Sequence, residues 1–312
     1  MGMNSIDNIG ITEPSSFSEV SPEKNCNAAA SGSVSEKVCE AIYDKPCVES
    51  AGKKPYRLGI ALSGGGARGF AHIGVLKAFD EAGLKPDVIA GVSAGSVAGV
   101  LYAAGIPPQE IPQLFDGLKF SDLCKLSIPE GEGLFQLTKF KRKIEKWTGV
   151  RNIEDLKIPM YIGATDFDRG IPAEFHEGPL GERVIASCSI PIVFRPVRID
   201  GVNYVDGGVL RNLPAWIIRD KCDVLVGVNV SPLPTGRYKH TIFDAAMRTY
   251  NIIVKKNHVP DTAMCDFIIK PPELAHYQVF NLKDINKVFL SGYAAAHRAI
   301  KEILAARPDL LQ

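Results

Sequence analysis

Residues 62–76 read LSGGGARGFAHIGVL. An apolar run stops at Ser63, three glycines follow, and apolar residues then recur at helical spacing. The run Arg57–Ser63 has the length and composition of a buried strand stopped by glycine. In ARGFAHIGVLKAFDEAG, His72, Val75, Leu76 and Phe79 fall on one stripe, and Gly83 with Pro86 ends the helix. Asp87–Ser93 is a second buried strand, and Ala94–Gly105 a second helix closed by Gly105 and Pro107–Pro108. Strand, helix, strand, helix with short joints predicts a right-handed parallel unit. Ile158–Asp168 and Cys222–Val230 read as further central strands, AEFHEG and GVNYVDGG as shorter ones, and LKDINKVFLSGYAAAHRAIKEIL as a C-terminal helix. The expected class is α/β with a mainly parallel central sheet.

A glycine loop between strand and helix suits two kinds of guest. Gly64, Gly66 and Gly69 fit the spacing of a dinucleotide loop, in which the helix start holds a pyrophosphate. That fingerprint needs an acid at the end of the second strand. Asp87 lies before that strand, and Ser93 ends it. The serine supports the other guest. GVSAG, Gly91–Gly95, is G-x-S-x-G between a buried strand and a helix of small residues, the setting of a nucleophile elbow. A serine attacking a carbonyl builds negative charge on oxygen, and fixed backbone N–H groups stabilise it without reorganisation. Consecutive glycines let several N–H groups point one way. The loop is therefore read as a cradle for a transient oxyanion, with Gly64, Gly65 and Gly66 as donors and Arg68 as a brace of the loop.

The base is less legible. His240, His258, His276 and His297 follow the best acid, but none lies in a glycine-flanked loop after a strand, and His258 is the best of them. His72 reads as a packed histidine bracing the elbow. In NYVDGGVLRNLP, Asp206 stands where a short strand stops before Gly207 and Gly208. That pattern fits a carboxylate turned toward another loop, and equally a plain Asp-Gly turn.

The chain has 312 residues, is 46% hydrophobic and carries a net charge of +1, so nothing global points to nucleic acid. Its seven cysteines show no C-x-x-C pair or metal spacing and read as reduced thiols, so no metal is expected. The N-terminus lacks the basic and apolar regions of a signal peptide, and Ile6 stands where a myristoylation motif wants Ser or Thr. Residues 1–54 are rich in Ser, Asn, Glu, Ala and Lys, and are expected to be mostly disordered. LTKFKRKIEKWTGV, Leu137–Val150, is basic and amphipathic. It reads either as a face for anionic headgroups or, the preferred reading, as a solvated helix docking Phe140, Ile144 and Trp147 into the core. SIPEGEGLF before it would let it act as a lid.

With Gly64–Gly69, Gly91–Gly95 and Asp206–Gly208 in this order, the chain resembles the patatin-like phospholipase family, most of all its compact bacterial members. ATDFDRG (164–170), IASCSIPIVFRPV (185–197) and LRNLPA (210–215) support the resemblance, which covers about Leu58 to Ile218. It implies a three-layer α/β/α fold distinct from the standard α/β-hydrolase, in one catalytic domain over 55–312 with the motifs in 58–218. It also implies a Ser–Asp dyad: Ser93 as nucleophile, Asp206 as general base, the Gly64–Gly66 backbone as oxyanion donors, and Arg68, Gly69, Gly91, Gly95, Gly207 and Gly208 as supports. Two departures stand out. Ser63 replaces the aspartate of plant members, and Ile192 follows Pro191 where many relatives have glycine, which would narrow an acyl channel.

The expected activity is a cofactor-free serine acyl hydrolase cleaving fatty acyl esters of lipids through an acyl-enzyme. It is expected to be cytoplasmic, with a lipid ester as partner, peripheral contact with membranes and no nucleic acid. An ordinary aspartate is a weak base for this chemistry, so a desolvated cleft that raises its pKa is part of the expectation. The alternative is a catalytically silent lipid-binding or regulatory protein on the same fold. NAD(P)H binding, the mark of a Rossmann oxidoreductase, is not expected.

Overall fold

The computed structural model describes residues 53–127, 133–233 and 241–311. The expectations for residues 1–52, for residues 128–132 of SIPEGEGLF and for His240 lie outside them. The strands are β1 (Tyr56–Leu62), β2 (Val88–Val92), β3 (Lys125–Leu126), β4 (Gly133–Gln136), β5 (Met160–Asp166), β6 (Ile171–Phe175), β7 (Ile192–Phe194), β8 (Val197–Ile199), β9 (Val202–Asp206), β10 (Cys222–Val228) and β11 (Phe267–Ile269). The helices are α1 (Phe70–Glu81), α2 (Ala94–Ala103), α3 (Phe120–Leu123), α4 (Thr138–Thr148), α5 (Leu180–Ser187), α6 (Ala215–Ile218), α7 (Ile242–Asn257), α8 (Val259–Met264) and α9 (Ile285–Ala306).

The main sheet has eight strands in the order β11-β10-β1-β2-β5-β9-β8, with β6 on the other edge of β5. From β11 to β5 all pairs are parallel, whereas β6, β9 and β8 join antiparallel. The parallel part is covered on both faces, as its near-continuous apolar strands require. Leu58, Ile60 and Leu62 of β1 point into a large core shared with α1, α2, α4, α5 and α9. Ala61, with Val88 and Ala90 of β2, points the other way, against Leu213, Ala215, Ile217 and Ile218 around α6. The small residues on that second face let a short segment, rather than long helices, close it. This is the three-layer arrangement expected.

The glycine loop does not run directly into a helix. It passes through a 3-10 turn, Gly66–Gly69, and α1 starts only at Phe70. Helix α9 packs along α1 so closely that a Cβ on Gly292 would lie 2.0 Å from the Ala71 carbonyl oxygen. Asp87 holds the first strand in place, its Oδ2 accepting the N–H groups of Arg57 and Leu58 at 3.0 and 2.9 Å. The sequence reading missed the small sheet β3-β4-β7 and helices α5 and α7. Helix α4 docks Phe140 and Ile144 into the core, and Trp147 stacks on Phe115 at 4.9 Å between ring centroids. That is the preferred of its two readings. Among the described residues, no helix is long and apolar enough to cross a membrane.

The loop after β9 is held from behind. Arg211 binds the fully buried Asp261 of α8 through two bonds of 2.8 Å, and Asp261 also accepts the Trp216 N–H at 3.1 Å. Removing one partner of a buried pair strands the other charge. Asp261→Ala is expected to lose about 3 kcal/mol of stability in urea unfolding; a loss below about 1 kcal/mol would mean that the pair does not anchor this loop.

Candidate active site

The carboxyl ends of β1, β2 and β10 come level, since Leu62 pairs with both Gly91 and Val228. The glycine loop, the Ser93 turn and residues 229–231 therefore meet at one edge of the sheet, where ligands of open α/β sheets usually bind. Ser93 has φ 51° and ψ −121°, a conformation that costs a non-glycine residue about 1–3 kcal/mol and survives only when its surroundings enforce it. Its N–H donates to the Ser187 hydroxyl at 2.8 Å, and that hydroxyl donates to the Gly163 carbonyl at 2.6 Å. Its carbonyl accepts the Ser96 hydroxyl at 2.7 Å. The turn also needs Gly95, where a Cβ would lie 2.1 Å from the Leu62 carbonyl oxygen.

Asp206 reaches the same place along β5. Residues 162–166 of β5 carry β6 on one edge. On the opposite edge, residues 160–163 pair with β2 and residues 164–166 with β9. β2 and β9 thus arrive head to head: Val92 pairs with Gly163, and Asp206 with Ala164. Ser93, the residue after Val92, faces Asp206 at that junction. The segment Ser187–Ser189 ties the two together, Ser187 holding the Ser93 N–H and the Ser189 carbonyl accepting the Asp206 N–H at 2.9 Å.

The Asp206 carboxylate is fully buried. Burial raises its pKa from 3.8 to about 6, against opposing pulls from the Ser93 hydroxyl, the Gly208 N–H and the Tyr250 hydroxyl. The Gly208 N–H donates to Oδ1 at 2.8 Å, while Oδ2 has no partner of ordinary hydrogen-bond geometry. The Ser93 approach is therefore looser than a full hydrogen bond, as is common before substrate arrives.

The glycine loop divides. The Gly64 N–H already donates to the Asn212 carbonyl at 3.2 Å, so Gly64 departs from the expectation of a free donor. The N–H groups of Gly65 and Gly66 have no acceptor among the described residues. The loop is fixed by its carbonyls. His72 is fully buried, its Nε2 lies 2.8 Å from the Ser63 carbonyl oxygen, and burial lowers its pKa to about 4, so it is neutral and donates there. Ser63 and Ser231 hydroxyls both donate to the Gly64 carbonyl. Arg68 is buried, with Nε donating to the Gly65 carbonyl at 3.3 Å and an Nη to that of Pro232 at 2.6 Å. These two bonds tie the glycine loop to the segment after β10.

Sequence reasoning missed Tyr250 and Asn257, both on α7. Tyr250 acts on Asp206, and its own pKa is pushed well up by burial and by that carboxylate. Asn257 donates to the Gly208 carbonyl at 2.7 Å and accepts the Asn212 N–H at 3.2 Å. Neither carries a local signal, because each sits on an amphipathic helix far along the chain. His258 lies at the end of that helix, half-buried, beside Thr262, and has no bond to Asp206.

Beside Ser93 opens a cavity of roughly 940 Å³, counting its mouth, and almost wholly apolar. Phe70, Val97, Phe115, Phe140, Ile190 and Phe194 line it. Ile192 does not narrow it, contrary to expectation: its φ of 73° turns the side chain outward, 58% exposed.

A family model described as patatin-like phospholipase matches residues 60–218. An uncharacterized NTE family protein of Mycobacterium bovis is 35% identical over 188 residues, 59% of this chain and 52% of that protein. A lysophospholipase nte1 of Aspergillus fumigatus is 32% identical over 183 residues, 56% of this chain but 12% of the fungal protein. The chain thus spans about half, or far less, of these curated relatives. VipD from Legionella pneumophila has a similar fold, with a TM-score of 0.52 at 15% identity, covering 80% of this chain and 67% of that one. The matched span holds the glycine loop, the Ser93 elbow and the Asp206 turn on one sheet edge, and this chain belongs to the patatin-like phospholipase family.

Proposed function

We infer that the protein is a serine acyl hydrolase that cleaves fatty acyl esters of lipids through a Ser93–Asp206 dyad. One observation carries the reading: a strained, buried serine faces a carboxylate whose pKa burial has raised to about 6, at the wall of an apolar cavity. The lysophospholipase name of the fungal relative agrees with it. The acyl chain lies in the cavity, where its transfer from water contributes about 0.8 kcal/mol per methylene. Ser93 Oγ attacks the ester carbonyl as Asp206 takes its proton. The oxyanion rests on the Gly65 and Gly66 N–H groups, and loss of such a donor typically costs ~10²–10³ in rate. Collapse breaks the ester bond, the alcohol leaves with the proton from Asp206, and an acyl-Ser93 ester remains. Water then attacks it, with Asp206 again as base, releasing the fatty acid. The nearby Tyr250 hydroxyl favours the ionised carboxylate. Contact with a membrane, where the lipid resides, is part of this reading.

Raising the pKa of Asp206 brings it nearer neutrality, where a base works best. It must be ionised to act, so kcat/KM for a soluble ester is expected to rise with pH through about 6 and then level, giving an acid limb in a pH–rate profile. The same shift has a stability cost of opposite sense. Below pH 3.8 the carboxyl is protonated whether folded or unfolded, and burial costs little. Above about 6 it is ionised in both states, and its folded form bears the full penalty, of the order of 3 kcal/mol. Asp206→Asn is therefore expected to be inactive yet more stable than wild type in urea at pH 8, with the gap closing toward pH 4. Equal stability at both pH values would mean that the carboxylate is not desolvated.

A fluorophosphonate probe tests the nucleophile. Wild type is expected to label, with labelling lost in Ser93→Ala and reduced at least ~10²-fold in rate in Asp206→Asn. Full labelling of Ser93→Ala would sink the scheme. No labelling of folded wild type would favour the lipid-binding alternative.

A further inference from the structure

Ile192 satisfies neither term that normally places an isoleucine. It is 58% exposed, so it gains little from burial in the fold. Its φ of 73° lies in the left-handed region, which strains a β-branched residue and leaves a glycine unstrained. It has company. It sits on the small sheet β3-β4-β7, paired with Gly133, and the same sheet carries Leu134, 48% exposed, which alternation turns away from the inward Phe135. Two phenylalanines of this sheet face inward: Phe135 and Phe194 both stack on Phe120, a wall of the apolar cavity. Phe280, 38% exposed, stacks on the same Phe120 ring at 5.9 Å and lines the cavity. The sheet that carries the exposed apolar side chains thus also packs two rings on the wall of the cavity.

The outward face of helix α4, which follows strand β4 of this sheet, is positive. In α4 the inward positions are Phe140, Ile144 and Trp147, which leaves Lys139, Arg142, Lys143 and Lys146 on one outward stripe at spacings of 3, 4 and 7 residues. The stripe begins beside the cavity wall, since the Lys139 ammonium donates to the Ser121 carbonyl, next to Phe120. Arg142, Lys143 and Lys146 have no ion-pair partner among the described residues. Lys125 stands exposed on β3 itself. A helix with its apolar face already buried cannot insert into lipid. It can attract anionic headgroups through its basic residues near the surface.

We propose that the β3-β4-β7 sheet is a membrane-docking surface for an anionic lipid bilayer, in which Ile192 and Leu134 insert while the outer stripe of α4 holds the headgroups. It deepens the lipid-hydrolase reading by saying where that enzyme meets its substrate phase. Docking nevertheless needs no turnover, so its test stands apart from the failure of the hydrolase reading.

The test uses the full chain carrying Ser93→Ala, which leaves the vesicles intact, and measures co-sedimentation with vesicles of phosphatidylcholine alone or mixed with phosphatidylglycerol. Binding is expected on the mixed vesicles, weakening as salt rises. Arg142→Gln/Lys143→Gln/Lys146→Gln is expected to remove most of the preference for anionic vesicles. Ile192→Gly is expected to act in two opposite directions: vesicle affinity falls roughly tenfold, while the melting temperature in the absence of lipid rises, because the backbone strain is relieved. Leu134→Ser should also weaken binding, with no rise in melting temperature. Unchanged binding in both Ile192→Gly and Leu134→Ser would overturn the proposal. So would equal binding to neutral and anionic vesicles, or a stable dimer in solution that Ile192→Gly dissolves, which would assign the face to a second copy of the chain.

Discussion

One edge of strand β5 serves two strands in succession, and the site depends on that arrangement. β2 runs parallel along Met160–Gly163 and stops; β9 comes from the opposite direction along Ala164–Asp166 and stops. Two chain ends that meet on a shared edge face each other across one residue step. The strained turn of Ser93 and the carboxylate of Asp206 are brought together by that geometry rather than by any contact between neighbours in sequence. Gly163 itself, at the junction, accepts the Ser187 hydroxyl that holds the Ser93 N–H. The backbone that sets the register also fixes the elbow.

Such a junction stores unfavourable terms that the rest of the molecule must offset. A non-glycine turn at positive φ, a carboxylate with one orphaned oxygen, and a cation at Arg68 held by two carbonyls are each costly alone. Much of the support comes from beyond residue 218, where the family match ends. The Val279 carbonyl accepts the Ala67 N–H, Pro232 holds Arg68, Asn257 clamps Gly208 and Asn212, and Asp261 anchors Arg211. The motifs supply Ser93, Asp206 and the glycine loop; the C-terminal third holds them against their own strain.

The cavity and the small sheet extend the same logic outward. Aromatic rings on α3, α4 and β7 make an apolar volume beside Ser93, and the sheet that closes it exposes isoleucine and leucine where the fold alone gives no reason for them. From the desolvated carboxylate through the apolar cavity to the outer stripe of α4, burial gives way to exposed positive charge. This gradient suits a substrate that is itself apolar at one end and polar at the other.

The chain's local patterns determined a good deal by themselves. Apolar runs stopped by glycine marked the central strands, because a strand buried on both faces has no polar position to break its run. The G-x-S-x-G turn was legible because only glycine can sit beside Ser93 where Gly95 meets the Leu62 carbonyl. The tertiary structure decided the rest. Asp206 was as well explained by an ordinary turn until register set it opposite Ser93. Gly64 could be told from Gly65 and Gly66 only by the Asn212 carbonyl that occupies its N–H. Tyr250 leaves no mark in the sequence, and Ile192, read as a channel residue, points to solvent. Periodicity reports what a residue's own strand or helix does with it; what it faces across the fold is set by partners tens to hundreds of residues away.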